Sequence, residues 1–177
     1  MKANENIKSL FLLDKDITYL NHGSYGACPK PIFENLQYWQ ALLEKQPVDF
    51  FAVQIEDRMR ESRKSLAKLI NCDFNDLVFC PNPTTAMNEV IKSLALCQGD
   101  EILTTNHEYG AIDKAWEFVC GKYGSIYKKQ NISIPIKSKD YFIEEFFSGL
   151  SKRTKAIFIS HITSPTALIF PIKEICK

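Results

Sequence analysis

An α/β architecture with a mostly parallel sheet and flanking helices is what this sequence predicts, on three observations. From residue 76 onward, short apolar runs alternate with longer runs of helical period. Several of the short runs are followed by polar clusters rich in Thr, Ser, Asn and His, the composition of loops at a sheet edge. The chain is 177 residues long and 45% apolar, enough to bury a core.

Taken in order, residues 1–30 read as an arm, because "ITYLNHGSYGACPKPI" is dense in turn formers and too irregular for one element. A helix is expected from Pro31, carried by Phe33, Leu36, Trp39, Ala41 and Leu43, with Pro47 ending it. A second helix over residues 54–69 sets Arg58, Arg60, Arg63 and Lys64 among Ile55, Met59, Leu66 and Leu69. Its charges read as a solvated face.

"DLVFC" is expected to be a buried strand, and residues 84–96 a helix through Ala86, Val90, Ile91 and Leu94. "GDEILTTNH" reads as a turn and strand, "YGAIDKAWEFVCGKYG" as a helix closed by glycine, and "ISIPI" as the next strand. "KDYFIEEFFSGL" follows as a helix, "TKAIFISHI" as a strand, and "PIKEICK" as the opening of a last helix. That pattern stops after about two turns with no cap, so the expectation is a chain that ends inside a domain. The expected division is an N-terminal arm and helix over residues 1–52 and an incomplete α/β domain over 53–177.

Twenty-two basic residues against 21 acidic leave a net charge of +1, with no basic block to follow a nucleic-acid backbone. The opening "MKANENIKSLFLL" holds only a short apolar run, insufficient for a secretory leader or a membrane span. The expectation is a cytoplasmic protein with no nucleic-acid or membrane partner. Six scattered cysteines without a Cys-x-x-Cys pair read as reduced small hydrophobes.

Ligands of open α/β sheets bind beyond the carboxyl ends of the strands, here "CPNPTTA", "TTNHEYGA" and "SHITSPTA". Thr84 and Thr85 at a helix start can cap the helix or receive an anion such as phosphate. Tyr109 can pack or offer its ring to a flat ligand. His161 at a strand end can be structural or polar lining. Together the three loops fit a planar, phosphorylated ring with a hydroxyl.

"YLNHGSYGACPKPI", "NPTTAMNEVIKSL", "GDEILTTNHEYGA" and "SHITSPTALIFPIKEI", in this order, resemble the class V aminotransferase family of pyridoxal-phosphate enzymes, in particular its isopenicillin N epimerase-like members. The resemblance implies part of the large domain of a fold-type I pyridoxal-phosphate transferase. It implies pyridoxal 5′-phosphate as cofactor, an amino acid as small-molecule substrate, and a homodimer in the full-length form. By position, Thr84, Thr85 and the amide of Ala86 match the phosphate-binding turn, and Tyr109 the residue stacked on the ring. Ser164, or alternatively Thr163, matches the contact to the ring hydroxyl, where many relatives carry asparagine. Asn21, His22, Gly23 and Ser24 match a substrate-lining loop.

The family's ring-nitrogen aspartate and Schiff-base lysine sit in "Asp-Gly-Ala-His"-like and "His-Lys"-like contexts, and neither occurs here. Asp113 and Lys114 have no such context. The chain alone is therefore expected to lack turnover. Two alternatives stand beside this reading. One is a truncated, non-catalytic binding module. The other is a zinc site built from His22, His107 and His161.

Overall fold

The computed structural model describes residues 5–177; the first four residues of the expected arm lie outside them. The chain divides into two compact units, residues 1–78 and 79–177. The expected boundary at residues 52/53 falls within helical backbone, and the division comes after Val78 instead.

The first unit is helical. A short α1 (Glu5–Lys8) leads into an irregular arm, tied by a bridge between Phe11 and Pro29. α2 (Lys30–Lys45) starts with Pro31 in its first turn, where a missing N–H costs nothing. Pro47 ends that helix as expected, and it also opens the next, α3 (Pro47–Asp49). The backbone continues through a π-helical segment, Phe50–Gln54, into α4 (Ile55–Ile70). Asn71 closes α4 in the left-handed conformation, φ 56°, which asparagine tolerates better than most residues. The basic face of α4 is solvated at Arg60, which pairs with Asp57 at 2.7 Å, and at Lys64, which pairs with Glu61 at 2.8 Å, but Arg63 is half-buried and its Nε finds no hydrogen-bond partner among the described residues. Arg58 differs, lying 4.5 Å above the ring of Trp39 while Gln54 accepts from its guanidinium.

The second unit carries the sheet. Its elements are α5 (Pro83–Ser93), β1 (Glu101–Thr105), α6 (Gly110–Tyr123), β2 (Ile126–Gln130), α7 (Lys139–Phe147), β3 (Thr154–Ile157) and a final turn, α8 (Ile172–Ile175). The strands are all parallel, in the order β2-β1-β3. β1 is buried along its whole length, as a central parallel strand covered on both faces must be. Ile102 points into one core with Ile91, Leu96, Ile112, Trp116, Val119 and Cys120. Leu103 points into the other, with Ile132, Phe142, Phe146, Phe170 and Ile175. Successive strand residues face opposite ways, so adjacent positions feed both cores. Close packing at the second core also fixes Gly149, where an added Cβ would stand 2.6 Å from Leu103 Cδ1.

Four expectations are corrected here. "DLVFC" is not a buried strand: its apolar Val78 is 82% exposed. Both edges of β1 are taken by β2 and β3, and among the described residues no strand pairs with residues 77–80, so that backbone has no ladder to join. The second strand is Ile126–Gln130, not "ISIPI", because residues 126–130 already match all five positions of β1. Residues 132–136 lie past the end of that ladder, although Ile132 still plugs a core. The strand in "TKAIFISHI" stops at Ile157, after which Phe158 N–H makes one more bond to Leu103 O. All six cysteines are free thiols, but Cys120 alone of them is buried.

Candidate active site

The exit of β1 is tied by hydrogen bonds to the segments that follow both neighbouring strands. In "TTNHEY", residues 104–109, Thr104 and Thr105 are fully buried. Asn106 Oδ1 accepts the amide of Ile132 at 2.8 Å, and its side-chain amide donates to Asn131 at 2.9 Å. His107 is buried, with Nε2 2.8 Å from Ile132 O. Glu108 turns the other way and accepts from Ser160 beyond β3. The loops after the three strands are therefore laced together at the carboxyl edge of the sheet. Tyr109, 49% exposed, ends the series; it opens α6 and its hydroxyl makes no bond among the described residues.

The start of α5 settles how its cap is made. The expected threonine cap is not used: Asn82 is the N-cap, its Oδ1 accepting the amide of Thr85 at 2.8 Å. Asparagine directly before a proline at the first helical position is a strong start signal, and it was present in "CPNPTT". Ala86 N–H goes to Asn82 O at 3.1 Å, so this amide, expected to be free, is already part of the helix. What stays unengaged is the Thr84 N–H and the hydroxyls of Thr84 and Thr85, all half-buried. α5 packs beside α6 through Ile91, Ile112 and Trp116.

The loop after β3 is a stapled unit. Ile162 bridges to Ile169, Phe170 N–H bonds His161 O at 2.9 Å, and Ala167 adopts φ 52°. Thr163 is buried and its hydroxyl is spent inside this loop, accepting the amide of Leu168 at 2.9 Å and pairing with Thr166 at 2.7 Å. Ser164 is exposed and its hydroxyl unpaired. Between the two alternatives for a ring-hydroxyl contact, the free hydroxyl is Ser164.

Asn21, His22, Gly23 and Ser24 lie in the first unit, in an exposed turn. Asn21 O accepts from the Tyr25 amide at 3.0 Å and from the Tyr19 hydroxyl at 3.3 Å. The imidazole of His22 packs edge-on against Tyr19, centroids 4.9 Å apart.

Other polar groups of the second unit are structural. Asp113 accepts from the Tyr127 hydroxyl at 2.7 Å and from Lys129 at 2.9 Å. Burial, then the bond to Asp113, pushes the Tyr127 hydroxyl far above the usual phenol range. At the opposite, amino end of β1, Glu101 receives the Ser151 hydroxyl at 2.7 Å and the Arg153 fork at 2.7 and 3.1 Å. The Ser151 bond, outweighing burial, and then Arg153 and Lys128 hold its carboxyl below the ordinary range. A zinc site finds no support: His107 already spends Nε2 on a carbonyl, and no group of three or more metal-ligating side chains occurs among the described residues.

A parallel layer with its free polar groups gathered at the carboxyl edge defines a ligand-binding α/β domain. More particularly, the chain belongs to the aminotransferase class-V family, whose profile matches residues 31–177. It is similar to isopenicillin N epimerase of Amycolatopsis lactamdurans, 30% identical across 97% of this chain and 44% of that protein. It is also similar to a probable chloroplastic L-cysteine desulfhydrase of Arabidopsis thaliana, 29% identical across 93% of this chain and 38% of the relative. Among solved structures, a cystine C-S lyase bound to its product cysteine persulfide superposes with a TM-score of 0.81 at 23% identity, covering 96% of this chain and 44% of the lyase. That likeness shows the fold. The chain spans less than half the length of the relatives it matches.

Proposed function

We propose that this chain is the cofactor-cradling part of a pyridoxal-phosphate-dependent enzyme acting on an amino acid. The observation that carries the reading is the helix start at α5. Because Asn82 does the capping, Thr84 and Thr85 keep two hydroxyls and one amide free where the helix presents its positive end. That donor set suits a phosphate dianion, and an apolar ligand would leave it unsatisfied. The group fits the rest of the edge as well: Tyr109 offers an exposed ring for stacking, and Ser164 a free hydroxyl for the ring oxygen.

When bound, the cofactor supplies an electron sink for bonds broken at the amino-acid α-carbon. This chain's residues bind and orient: Thr84 and Thr85 hold the phosphate, Tyr109 fixes the ring plane, and Ser164 meets the ring hydroxyl. Asn21, His22, Gly23 and Ser24 are assigned to the substrate. No lysine here stands in the family's tethering context, so we expect binding without turnover from the 177 residues alone. Epimerisation and carbon–sulfur cleavage both occur among the named relatives, and an amino acid is the substrate class common to them. The homodimer and the cytoplasmic location implied by the sequence belong to the same proposal. The dimer is supported by the exposed Ile32, Phe33, Leu36 and Tyr38 on α2. No described helix is long and apolar enough to cross a membrane.

Titration of the purified chain with pyridoxal phosphate tests the reading. Saturable binding is expected, weakened about 10-fold or more by Thr84→Ala with Thr85→Ala, since hydrogen bonds to a charged group contribute roughly 1.5–3 kcal/mol. Pyridoxal lacking the phosphate should be indifferent to both substitutions. Equal loss for both ligands, or no binding at all, would sink the proposal.

A further inference from the structure

We propose that Glu108 is a positioning residue that sets the distance between the ring-facing Tyr109 and the Ser164 loop; the inference rests on the cofactor reading above. Glu108 is 6% exposed, yet among the described residues no cation pairs with it. All its partners are neutral donors. Oε1 accepts the Thr105 hydroxyl at 2.9 Å, and both oxygens accept the Ser160 amide, at 3.2 and 3.1 Å. Oε2 also accepts the Ser160 hydroxyl at 2.5 Å. Burying a carboxylate without a counter-charge is costly, and it persists only where several donors converge on it. Here three groups, drawn from two strand ends, converge.

The placement of those donors gives the carboxylate its role. Thr105 ends β1, one turn before Tyr109; Ser160 starts the loop that carries Thr163 and Ser164. That loop is closed on itself by Thr163 and Leu168 and by His161 and Phe170, so its internal bonds brace it as one unit. Its root is fixed to β1 by the last ladder bond, Phe158 N–H to Leu103 O, and then by Glu108. The side chain adjoining Tyr109 therefore holds the root of the segment bearing Ser164. Glutamine has nearly the same shape but no charge and one acceptor oxygen fewer, so the Ser160 amide keeps one of its two oxygens and the Thr105 hydroxyl must turn from donating to accepting.

The test uses the 177-residue chain, pyridoxal phosphate as probe, and two readouts. One is the dissociation constant; the other is the pH midpoint at which the bound probe's absorbance reports ionisation of its ring hydroxyl. Glu108→Gln is expected to weaken binding about 10-fold and Ser160→Ala about 3-fold, in line with the loss of buried hydrogen bonds. Both should move the midpoint by about half a pH unit, because Ser164 shifts against the hydroxyl. Ile91→Val, a core change in the same unit, should lower thermal stability and leave the midpoint in place. Weakened binding with an unmoved midpoint makes Glu108 a purely structural strut and overturns the inference; so does unchanged binding. If Glu108→Gln fails to fold, Ser160→Ala decides by the same two readouts. A wild-type chain that does not bind the probe defeats the cofactor reading itself. By contrast, binding that depends on Thr84 and Thr85 but not on Glu108 defeats only this inference.

Discussion

The two units of this chain solve the burial problem very differently. In residues 79–177, β1 gives helices on each face a wall, and two separate cores close on it. In residues 1–78, Phe50 and Ala67 are the buried hydrophobic side chains among the described residues, and neither is completely shielded. Leu20 is 87% exposed and Leu69 81%, and a groove of about 870 Å³ lies open among Trp39, Phe50, Val53 and Met59. Both units carry amphipathic helices, so helix formation is not what separates them. The sheet is: a strand presents two faces, whereas a helix presents one stripe and must find a partner for it.

The comparison can be broken most decisively at Phe142. It has no exposure and packs against Phe170, rings tilted by 34° with centroids 4.6 Å apart. Phe142→Ala should cost about 3–5 kcal/mol in chemical denaturation. A loss below about 1 kcal/mol would mean that the second unit is no better packed than the first.

A smaller effect is expected at the amino end of β1. The carboxyl of Glu101 is held below its unfolded value, so its contribution is complete above the unfolded pKa of about 4.3 and disappears as pH falls through the lowered folded value. Glu101→Gln should destabilise the protein at neutral pH and flatten the stability profile at the acid end. An unchanged acid limb in a denaturant series across that range would show that Ser151 and Arg153 do not stabilise the ionised carboxyl.

The least effect belongs to the first unit. Leu69→Ser changes an exposed side chain and should alter stability by less than about 0.5 kcal/mol. A loss above about 2 kcal/mol would show that Leu69 is buried in solution, and the contrast between the units would then need redrawing.

The parts legible in the sequence were those with local causes. α2, α4, α5, α6 and α7 follow from helical periodicity and end signals such as Pro47 and Gly124, so they fell close to their expected places. β1 was legible because its apolar run is short and bounded by a turn. β2 was not: "IYKKQ" is half polar, a poor match to a buried strand, and its pairing is decided by β1. "DLVFC" failed for the converse reason, since an apolar run becomes a strand only if a neighbour pairs with it. At the site, Thr84, Thr85 and Tyr109 could be read from their positions at helix starts. Asn82 could have been, from the asparagine before Pro83. Glu108 could not, because its partner Ser160 lies 52 residues away and a single sequence gives no sign of that pairing.

The strand order also has a consequence for how this protein is made. β1 leaves the ribosome before either of its neighbours has been synthesised. Asn106, at its end, meets Asn131 only after 25 further residues, and Glu108 meets Ser160 only after 52. At about 5–20 residues per second, this fully buried strand waits roughly 1–5 s with both of its edges open and roughly 3–10 s before the second is covered. The nascent chain is most exposed to mispairing during that interval, so slow codons between β1 and β3 should lower the yield of folded protein more than slow codons placed after β3.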